Sequence, residues 1–147
     1  MASISCSPPE ACRLVEGLAE TLGYGLCGGV LRGDTVGLVV GEACDCSVVR
    51  GALRRGVPVL AVGRGVVCLA SCLPWRARLA SLPEYADEVS GAGGIPVYAE
   101  VYVEDPVVSC IEASGRCLAE FIRMLRSYRL VGRVMWFTRG YPCRDGR

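Results

Sequence analysis

The sequence predicts an α/β protein in two parts: a small N-terminal α/β domain over residues 1–80, and a C-terminal half over residues 81–147 in which helices flank a mixed sheet. The chain of 147 residues is 52% apolar and 21% charged, which is typical of a packed globular protein. Short apolar runs bounded by glycine or proline alternate with segments of helical periodicity, the pattern of an α/β fold. The small-residue stretch Ser90–Gly94 is the clearest loop or linker in the chain.

The N-terminal part is predicted to contain two helices and three strands. Residues 8–22 follow a capping serine, begin with proline and carry apolar residues at helical spacing, so they form the first helix. Residues 26–31 and 35–40 are apolar runs on either side of an Arg-Gly-Asp turn, which indicates a hairpin. A short helix over residues 47–55 ends at a glycine, and Pro58–Val62 indicates a buried strand.

From residue 66 to residue 89, across the boundary between the two parts, the pattern is mostly helical, and two prolines interrupt it. Residues 95–103 indicate a long strand rich in valine and tyrosine. Asp105 is placed to cap the strongest predicted helix, whose apolar face includes Phe121 and continues to Leu125. A final strand is expected over residues 131–138.

Histidine, lysine, asparagine and glutamine are all missing from the sequence, whereas it has 16 basic residues, every one an arginine, and 10 cysteines. Histidine is the side chain that most readily moves a proton near neutral pH, and lysine supplies amine nucleophiles. Their absence excludes most hydrolase and nuclease sites. A GC-rich genome or life at high temperature would also remove these residue types, so the composition favours a hyperthermophilic source.

The spacing of the cysteines argues against a structural zinc site. Cys44-x-Cys46 and Cys68-x3-Cys72 are not the paired C-x2-C knuckles of zinc sites, and no histidine can complete a mixed site. We therefore expect no metal and no other cofactor. One or two disulfides are expected instead, with the remaining cysteines buried as small apolar side chains.

One cysteine pair is expected to stay unbonded. Cys110 and Cys117 both fall within the predicted helix that begins at Asp105. Seven helical residues span about 10.5 Å along the axis. A disulfide joins Cα atoms that are about 4.4–6.8 Å apart, so the pair should be out of reach.

The region around the acidic residues suggests two other kinds of site. A strand, turn, helix and strand in the N-terminal part resemble half of a nucleotide-binding fold, but Gly41–Asp45 has one glycine where the dinucleotide fingerprint has three. Glu42 with Asp45, or Glu104 with Asp105, could hold Mg²⁺. Both aspartates are better explained as helix caps. A nucleotide- or metal-binding protein using Glu42 and Asp45 stays an alternative, and a disulfide-stabilised homo-oligomer is another.

Residues 118–137 resemble the C-terminal helix and strand of archaeal tRNA-splicing endonuclease subunits. In that family a helix with an Arg-Ser-x-Arg-Lys-type ending leads into an apolar strand. Arg126, Ser127 and Arg129 match this ending, and Leu130 stands at the position of the family's catalytic lysine. The resemblance therefore implies an inactive site.

Other segments extend the resemblance. Residues 96–105 resemble the strand and acidic turn before that helix, and residues 31–38 with residues 52–56 more loosely resemble the family's small N-terminal domain. Because the family cleaves RNA with a tyrosine, a histidine and a lysine, the resemblance implies a nuclease-like C-terminal half without catalytic residues. The implied function is that of a structural subunit, which scaffolds the catalytic subunit for cleavage of bulge-helix-bulge introns.

The resemblance also implies partners. Val134 and Trp136 would bind the catalytic subunit by edge-to-edge strand pairing, and two such pairs would form a heterotetramer. Arg126, Arg129 and Arg133 would bind the phosphates of precursor tRNA. Since the sequence has neither a signal-peptide pattern nor an apolar run that could cross a bilayer, a cytoplasmic location is expected.

Overall fold

The computed structural model describes residues 35–41, 44–128 and 133–137, with the backbone alone at residues 35–36 and 133–137. The helix and strand expected at residues 8–22 and 26–31 lie outside this part of the chain. The helices and strands in order are β1 (Thr35–Val40), α1 (Cys46–Arg54), β2 (Val59–Val62), α2 (Gly65–Cys72), β3 (Arg78–Ala80), a 3₁₀ turn (Pro83–Tyr85), α3 (Ala86–Gly91), β4 (Ile95–Val97), β5 (Val101–Glu104), β6 (Val107–Cys110), α4 (Gly115–Ser127) and β7 (Arg133–Phe137).

The main sheet contains five strands within the described residues, in the order β5-β6-β2-β1-β7. The pairs β7 with β1, β1 with β2, and β2 with β6 are parallel, whereas β5 is antiparallel to β6. The expected α/β class with a mixed sheet flanked by helices is therefore confirmed. Strands from both sides of residue 80 share this sheet, and the division into domains 1–80 and 81–147 stays a prediction.

Helices cover both faces of the sheet. Alternate strand residues point to opposite sides, so Leu38 and Val40 of β1 share a core with α1 and α2, whereas Val39 shares a core with α4. Strand β2 lies between β1 and β6, and all four of its residues are buried. Because α2 follows β2 on one face and α4 follows β6 on the other, the carboxyl ends of these strands border the kind of crevice where open α/β sheets bind ligands.

The helix predicted to begin at Asp105 begins ten residues later. Residues 107–110 form strand β6, and α4 starts at Gly115 after Ser114, whose hydroxyl accepts a hydrogen bond from the Cys117 N–H at 3.1 Å. Asp105 is not a cap; it lies in the turn between β5 and β6 and accepts a hydrogen bond from the Tyr128 hydroxyl. A strand that is buried on both faces is apolar at every position, so its sequence has no alternation that distinguishes it from a buried helix. Residues 107–110 were therefore wrongly assigned to the helix.

Two more elements differ from the prediction. Residues 95–103 divide between β4 and β5, and β3 was missed in the segment predicted to be helical. Strands β3 and β4 pair in parallel as a separate two-stranded sheet. The expected β1, α1 and β2 are confirmed, and so is a strand over residues 133–137 within the range expected at 131–138. The hairpin partner predicted for β1 lies outside the described residues.

The exclusion of a Cys110–Cys117 disulfide was wrong. The two residues are bonded, with Cα atoms 6.0 Å apart. Cys110 ends β6 and Cys117 lies in the first turn of α4, so the chain folds back between them and does not continue along one helix. In the described part of the chain, no helix combines the length and the apolar character needed to cross a bilayer.

Candidate functional site

A sharp turn joins β2 to α2 at the carboxyl edge of the sheet. Strand β2 ends at Val62, Gly63 has a φ of 58° in the left-handed region, and α2 begins two residues later at Gly65. In several hydrolase folds a strand-to-helix turn of this kind holds the catalytic nucleophile above the sheet. The turn is therefore the first place where a catalytic residue is expected.

The residues of this turn do not provide a nucleophile. Gly63 has no side chain, and its left-handed backbone conformation is the one that glycine adopts without strain. The neighbouring Arg64 directs its guanidinium over the ring of Tyr85, 5.2 Å from the centroid, and pairs with Glu88 at 3.9 Å. Since the sequence also has no histidine, the turn cannot support a nucleophile and base pair of the Ser-His or Cys-His type.

Four cysteines, hereafter the cysteine cluster, lie beside this turn: Cys44, Cys46, Cys68 and Cys72. Cys44 is in the loop after β1, and Cys46 is the first residue of α1. Cys68 and Cys72 are one turn apart on α2. Disulfides join Cys44 to Cys68 and Cys46 to Cys72, with Cα separations of 6.0 and 4.9 Å. The loop after β1 and the start of α1 are thus both bonded to the helix that follows β2.

The sulfurs of the two disulfides are in contact. The Sγ atoms of Cys44 and Cys72, which belong to different disulfides, are 3.6 Å apart. Cys44, Cys46 and Cys68 are half-buried, whereas Cys72 is fully buried. Each disulfide therefore includes at least one residue that is partly accessible to solvent.

Two positively charged groups lie close to the cluster: the amino-terminal end of the α1 dipole and the guanidinium of Arg50. The amino-terminal end of α1 begins at Cys46, and helix N-termini stabilise thiolates. The Arg50 Nε–H donates a hydrogen bond to the Cys72 carbonyl at 3.1 Å, which holds the guanidinium against the end of α2. Asp45 lies between Cys44 and Cys46; hydrogen bonds from the Ser47 hydroxyl at 2.7 Å and the Ser47 N–H at 2.8 Å lower the pKa of this carboxyl. Asp45 is therefore a helix cap, as predicted.

The third disulfide has a different environment. Cys110 and Cys117 are both fully buried and pack with α4 in the core on the opposite face of the sheet. No cysteine among the described residues is free. The expectation of disulfides is confirmed, but the described residues contain three of them, whereas one or two were expected. Each disulfide of the cluster includes a half-buried cysteine, whereas both cysteines of the third disulfide are fully buried.

The residues predicted to bind RNA and a partner do not lie in the cluster. Arg126 is exposed in the last turn of α4, and Arg129 lies outside the described residues. Arg133 starts β7, and the backbones of Val134 and Trp136 pair with β1 opposite Gly37 and Val39. The side chains of these three residues are outside the described part. Their proposed contacts stay untested.

Mg²⁺ binding by the two acidic pairs stays untested, and the carboxylates that the structure describes make other contacts. Glu42 lies outside the described residues, and the Asp45 carboxylate is engaged as the cap of α1. Glu104 instead accepts hydrogen bonds from the Trp75 indole at 3.2 Å and the Arg78 N–H at 3.1 Å. These contacts tie β5 to the start of β3.

The cysteine cluster was missed because each pair was compared with zinc motifs separately. Cys44 and Cys46 follow β1, whereas Cys68 and Cys72 lie on the helix after β2. If β1 and β2 are neighbouring parallel strands, their carboxyl ends meet at the same edge. The sequence shows a strand, a helix and a second strand in this region. If these strands had been taken as a parallel pair, the four cysteines would have been predicted to lie at the same edge of the sheet.

The comparisons with known proteins concern the fold. No protein-family model matches the sequence, and no match was found among the curated proteins. The fold is similar to that of a two-domain protein from Anabaena variabilis containing DJ-1/ThiJ/PfpI-like and ferritin-like domains, with a TM-score of 0.60 and 12% identity over 89% of this chain and 48% of that one. It is also similar to the putative protease I from Bacteroides thetaiotaomicron, with a TM-score of 0.61 and 6% identity over 86% and 95% of the two chains. This chain spans about half the length of the Anabaena protein.

These similarities contradict the function of a tRNA-splicing endonuclease subunit, because the neighbours point to a different fold family. Nothing in the comparisons bears on the resemblance itself or on its partners. The segment that resembles the endonuclease subunits, residues 118–137, consists of most of α4 and of β7. A helix followed by an apolar strand is the repeating unit of parallel α/β sheets in general. At these low identities the comparisons show the fold alone: the chain has an α/β fold similar to that of DJ-1/ThiJ/PfpI-like proteins.

Proposed function

We propose that this chain is a thiol–disulfide redox protein whose reactive group is the cysteine cluster. The observation that carries the proposal is the 3.6 Å contact between the Cys44 and Cys72 sulfurs, which belong to two different disulfides, each with at least one half-buried cysteine. The cluster lies at the carboxyl edge of the sheet, where this class of fold places its sites. The turn at Gly63 offers no competing nucleophile.

The chemistry is an exchange relay. A thiolate of a reducing partner attacks Cys68 Sγ, forms a mixed disulfide and releases Cys44 as a thiolate. Cys44 then attacks Cys72 Sγ; the Cys44–Cys72 bond forms, the Cys46–Cys72 bond breaks, and Cys46 leaves as a thiolate at the amino-terminal end of α1 and takes up a proton. A second thiolate of the partner resolves the mixed disulfide. In total, two electrons and two protons enter the protein, which then has Cys46 and Cys68 as thiols.

The positions of the four residues support this order of steps. Cys68 is half-buried, so it is open to attack, and Cys72 is fully buried, so it is reached by Cys44 from within the protein. The α1 amino terminus stabilises the Cys46 thiolate as it leaves. The cytoplasmic location expected from the sequence belongs to this proposal, since a glutathione or thioredoxin pool would supply the reducing thiol.

The test measures which cysteines are reduced first in the folded protein. The protein is treated with increasing dithiothreitol without denaturant, quenched by alkylation and mapped by mass spectrometry. We expect Cys46 and Cys68 to be labelled first and Cys44 and Cys72 next, all at reductant concentrations at which Cys110 and Cys117 stay bonded, because those two are fully buried. Labelling of all six only when the protein unfolds would overturn the proposal.

The variant Cys46→Ala tests the exchange step between the two disulfides. Cys46→Ala leaves Cys72 without its disulfide partner, so Cys44 has two possible partners at contact distance. We expect peptide mapping to find both Cys44–Cys68 and Cys44–Cys72 links. If only Cys44–Cys68 forms and Cys72 stays a thiol, the exchange step is wrong. Ser71→Ala serves as the matched control, since it alters α2 beside Cys72 without removing a sulfur.

A further inference from the structure

We propose that the reduced cysteine cluster binds one Zn²⁺ through the thiolates of Cys44, Cys46, Cys68 and Cys72, so that the two disulfides and the metal ion are alternative states of one site. This inference rests on the proposed function, because it needs the cluster reduced one step beyond the relay: a second pair of electrons from the thiol partner breaks the Cys44–Cys72 disulfide and leaves four thiols. It also reverses the expectation from the sequence, where the absence of C-x2-C spacing argued against zinc.

The sulfur positions suit a tetrahedral site. The Sγ atoms of Cys44, Cys68 and Cys72 all lie within 4.8 Å of one another. A Zn–S bond of about 2.3 Å in tetrahedral geometry places neighbouring sulfurs about 3.8 Å apart. The Cys44–Cys72 separation of 3.6 Å is already close to this value. Three ligands therefore need only small shifts.

Cys46 supplies the fourth ligand. Its sulfur is bonded to that of Cys72, so on reduction it starts beside the other three. The sulfurs of any disulfide lie about 1.7 Å closer together than two thiolate ligands of one zinc ion. Rotation about the side-chain bonds of two cysteines can provide a movement of this size. The backbone positions of α1 and α2 can stay as they are.

The ligand set and its surroundings select the metal. Four thiolates without an imidazole or a free carboxylate are soft ligands, which favour Zn²⁺ over Mg²⁺ or Ca²⁺. Zn²⁺ with four thiolates has a net charge of about −2. The amino-terminal end of α1 lies at Cys46, and the guanidinium of Arg50 is held at the Cys72 carbonyl. Both groups are positive and would offset part of the negative charge of the zinc–thiolate site. Asp45 adds a negative charge nearby, but Ser47 engages it through two hydrogen bonds.

The experiment uses the full chain, refolded anaerobically from the fully reduced state, so that it does not depend on reduction of the folded protein. Thiols are counted before metal is added. Co²⁺ is then titrated as the probe, and the expected result is one Co²⁺ per chain with the strong visible absorption of tetrahedral cobalt and thiolate charge-transfer bands. Zn²⁺ should displace it and abolish the colour.

Variants assign the ligands. We expect Cys68→Ser and Cys72→Ser each to weaken Co²⁺ binding by at least about 100-fold, since a structural site depends on its full ligand set. The matched controls are Cys110→Ala with Cys117→Ala, which removes the buried thiols, and a variant with serine at positions 6, 12, 27 and 143, which removes the cysteines outside the described residues. Both controls should bind Co²⁺ as the wild type does. Circular dichroism confirms that each variant is folded.

Two results would overturn the metal site: no tetrahedral Co²⁺ spectrum in folded protein with all thiols counted as free, or an undiminished spectrum in a variant that lacks all four cluster cysteines. Neither would contradict the redox proposal, which the order of native reduction tests. If instead Co²⁺ binds to the refolded protein but the folded, oxidised protein cannot be reduced, the metal site stands and the redox function fails.

Discussion

Gly63 and Gly65 both lie in the turn that leads into α2, and Gly65, the first residue of that helix, determines how closely the helix approaches the sheet. A Cβ atom on Gly65 would lie 2.8 Å from the Val40 carbonyl carbon at the end of β1 and closer still to its oxygen, which real side chains do not tolerate. The contact is with backbone, so no side chain can move aside. The same close approach brings Cys68 and Cys72 within reach of the loop after β1. The cysteine cluster therefore depends on Gly65, which has no chemistry of its own.

Replacement of this glycine provides a test at the residue scale. Gly65→Ala should destabilise the protein by about 1–3 kcal/mol or more, because α2 must move away from β1. Gly91→Ala is the matched control: Gly91 ends α3, nothing lies within 4 Å of the place that a Cβ atom would take there, and the change should be neutral or stabilising by up to about 1 kcal/mol. Chemical denaturation of both variants measures the difference. Equal stabilities would contradict the close approach at Gly65.

The cap of α1 provides a prediction about pH. Hydrogen bonds from Ser47 lower the pKa of the Asp45 carboxyl, so the charged form is favoured in the folded state. Its contribution to stability is present above the ordinary carboxyl pKa and is lost as pH falls through the lowered value. Asn can also cap a helix but does not titrate, so Asp45→Asn should lose less stability than the wild type on acidification. Melting temperatures of both proteins between neutral and strongly acidic pH check this; parallel curves would contradict it.

At the scale of single elements, the contact of α4 with β1 depends on Phe121. This side chain is fully buried, and its ring lies over Gly37, where a Cβ atom would come within 2.9 Å of the ring. The absence of a side chain at Gly37 is thus what allows the ring to pack against the strand. The sequence predicted Phe121 on the apolar face of this helix, but the glycine that accommodates it is in another element and could not be identified from periodicity.

The packing of α4 can be measured. Phe121→Ala should cost about 3–5 kcal/mol of unfolding free energy, because it removes a large core side chain and leaves a cavity over Gly37. The control is Arg126→Ala on the exposed side of the same helix, which should change stability by no more than about 1 kcal/mol. Urea denaturation compares the two. A loss below about 1 kcal/mol for Phe121→Ala would show that α4 does not pack as described.

At the scale of the whole molecule, stability should decrease from the centre of the sheet to its antiparallel edge. Strand β2 is buried throughout and is paired on both sides, whereas β5 has half-buried and exposed residues and pairs with β6. Amides of β2 should exchange only through global unfolding, and those of β5 through local opening. Hydrogen exchange followed by mass spectrometry or NMR checks this order. Equal protection in β2 and β5 would contradict the arrangement.

Much of the local structure was determined by the sequence itself. The strand β1, the helix α1 with its Asp45 cap, and the buried strand β2 could be predicted because their signals are apolar runs, a capping aspartate and a glycine within a few residues of one another. The apolar face of α4 around Phe121 followed from helical spacing in the same way.

The disulfides and the cysteine cluster depended on tertiary structure. Residues Val107–Cys110 form a strand and not the start of a helix because they are buried between β2 and β5. In a single helix Cys110 and Cys117 would be too far apart for a disulfide, whereas with Cys110 at the end of a strand the two are bonded. Parallel pairing of β1 with β2 likewise gathers Cys44, Cys46, Cys68 and Cys72 from segments more than 20 residues apart. Spacing along the chain carries information over one or two turns, whereas strand pairing joins distant segments, so only the fold could reveal the cluster.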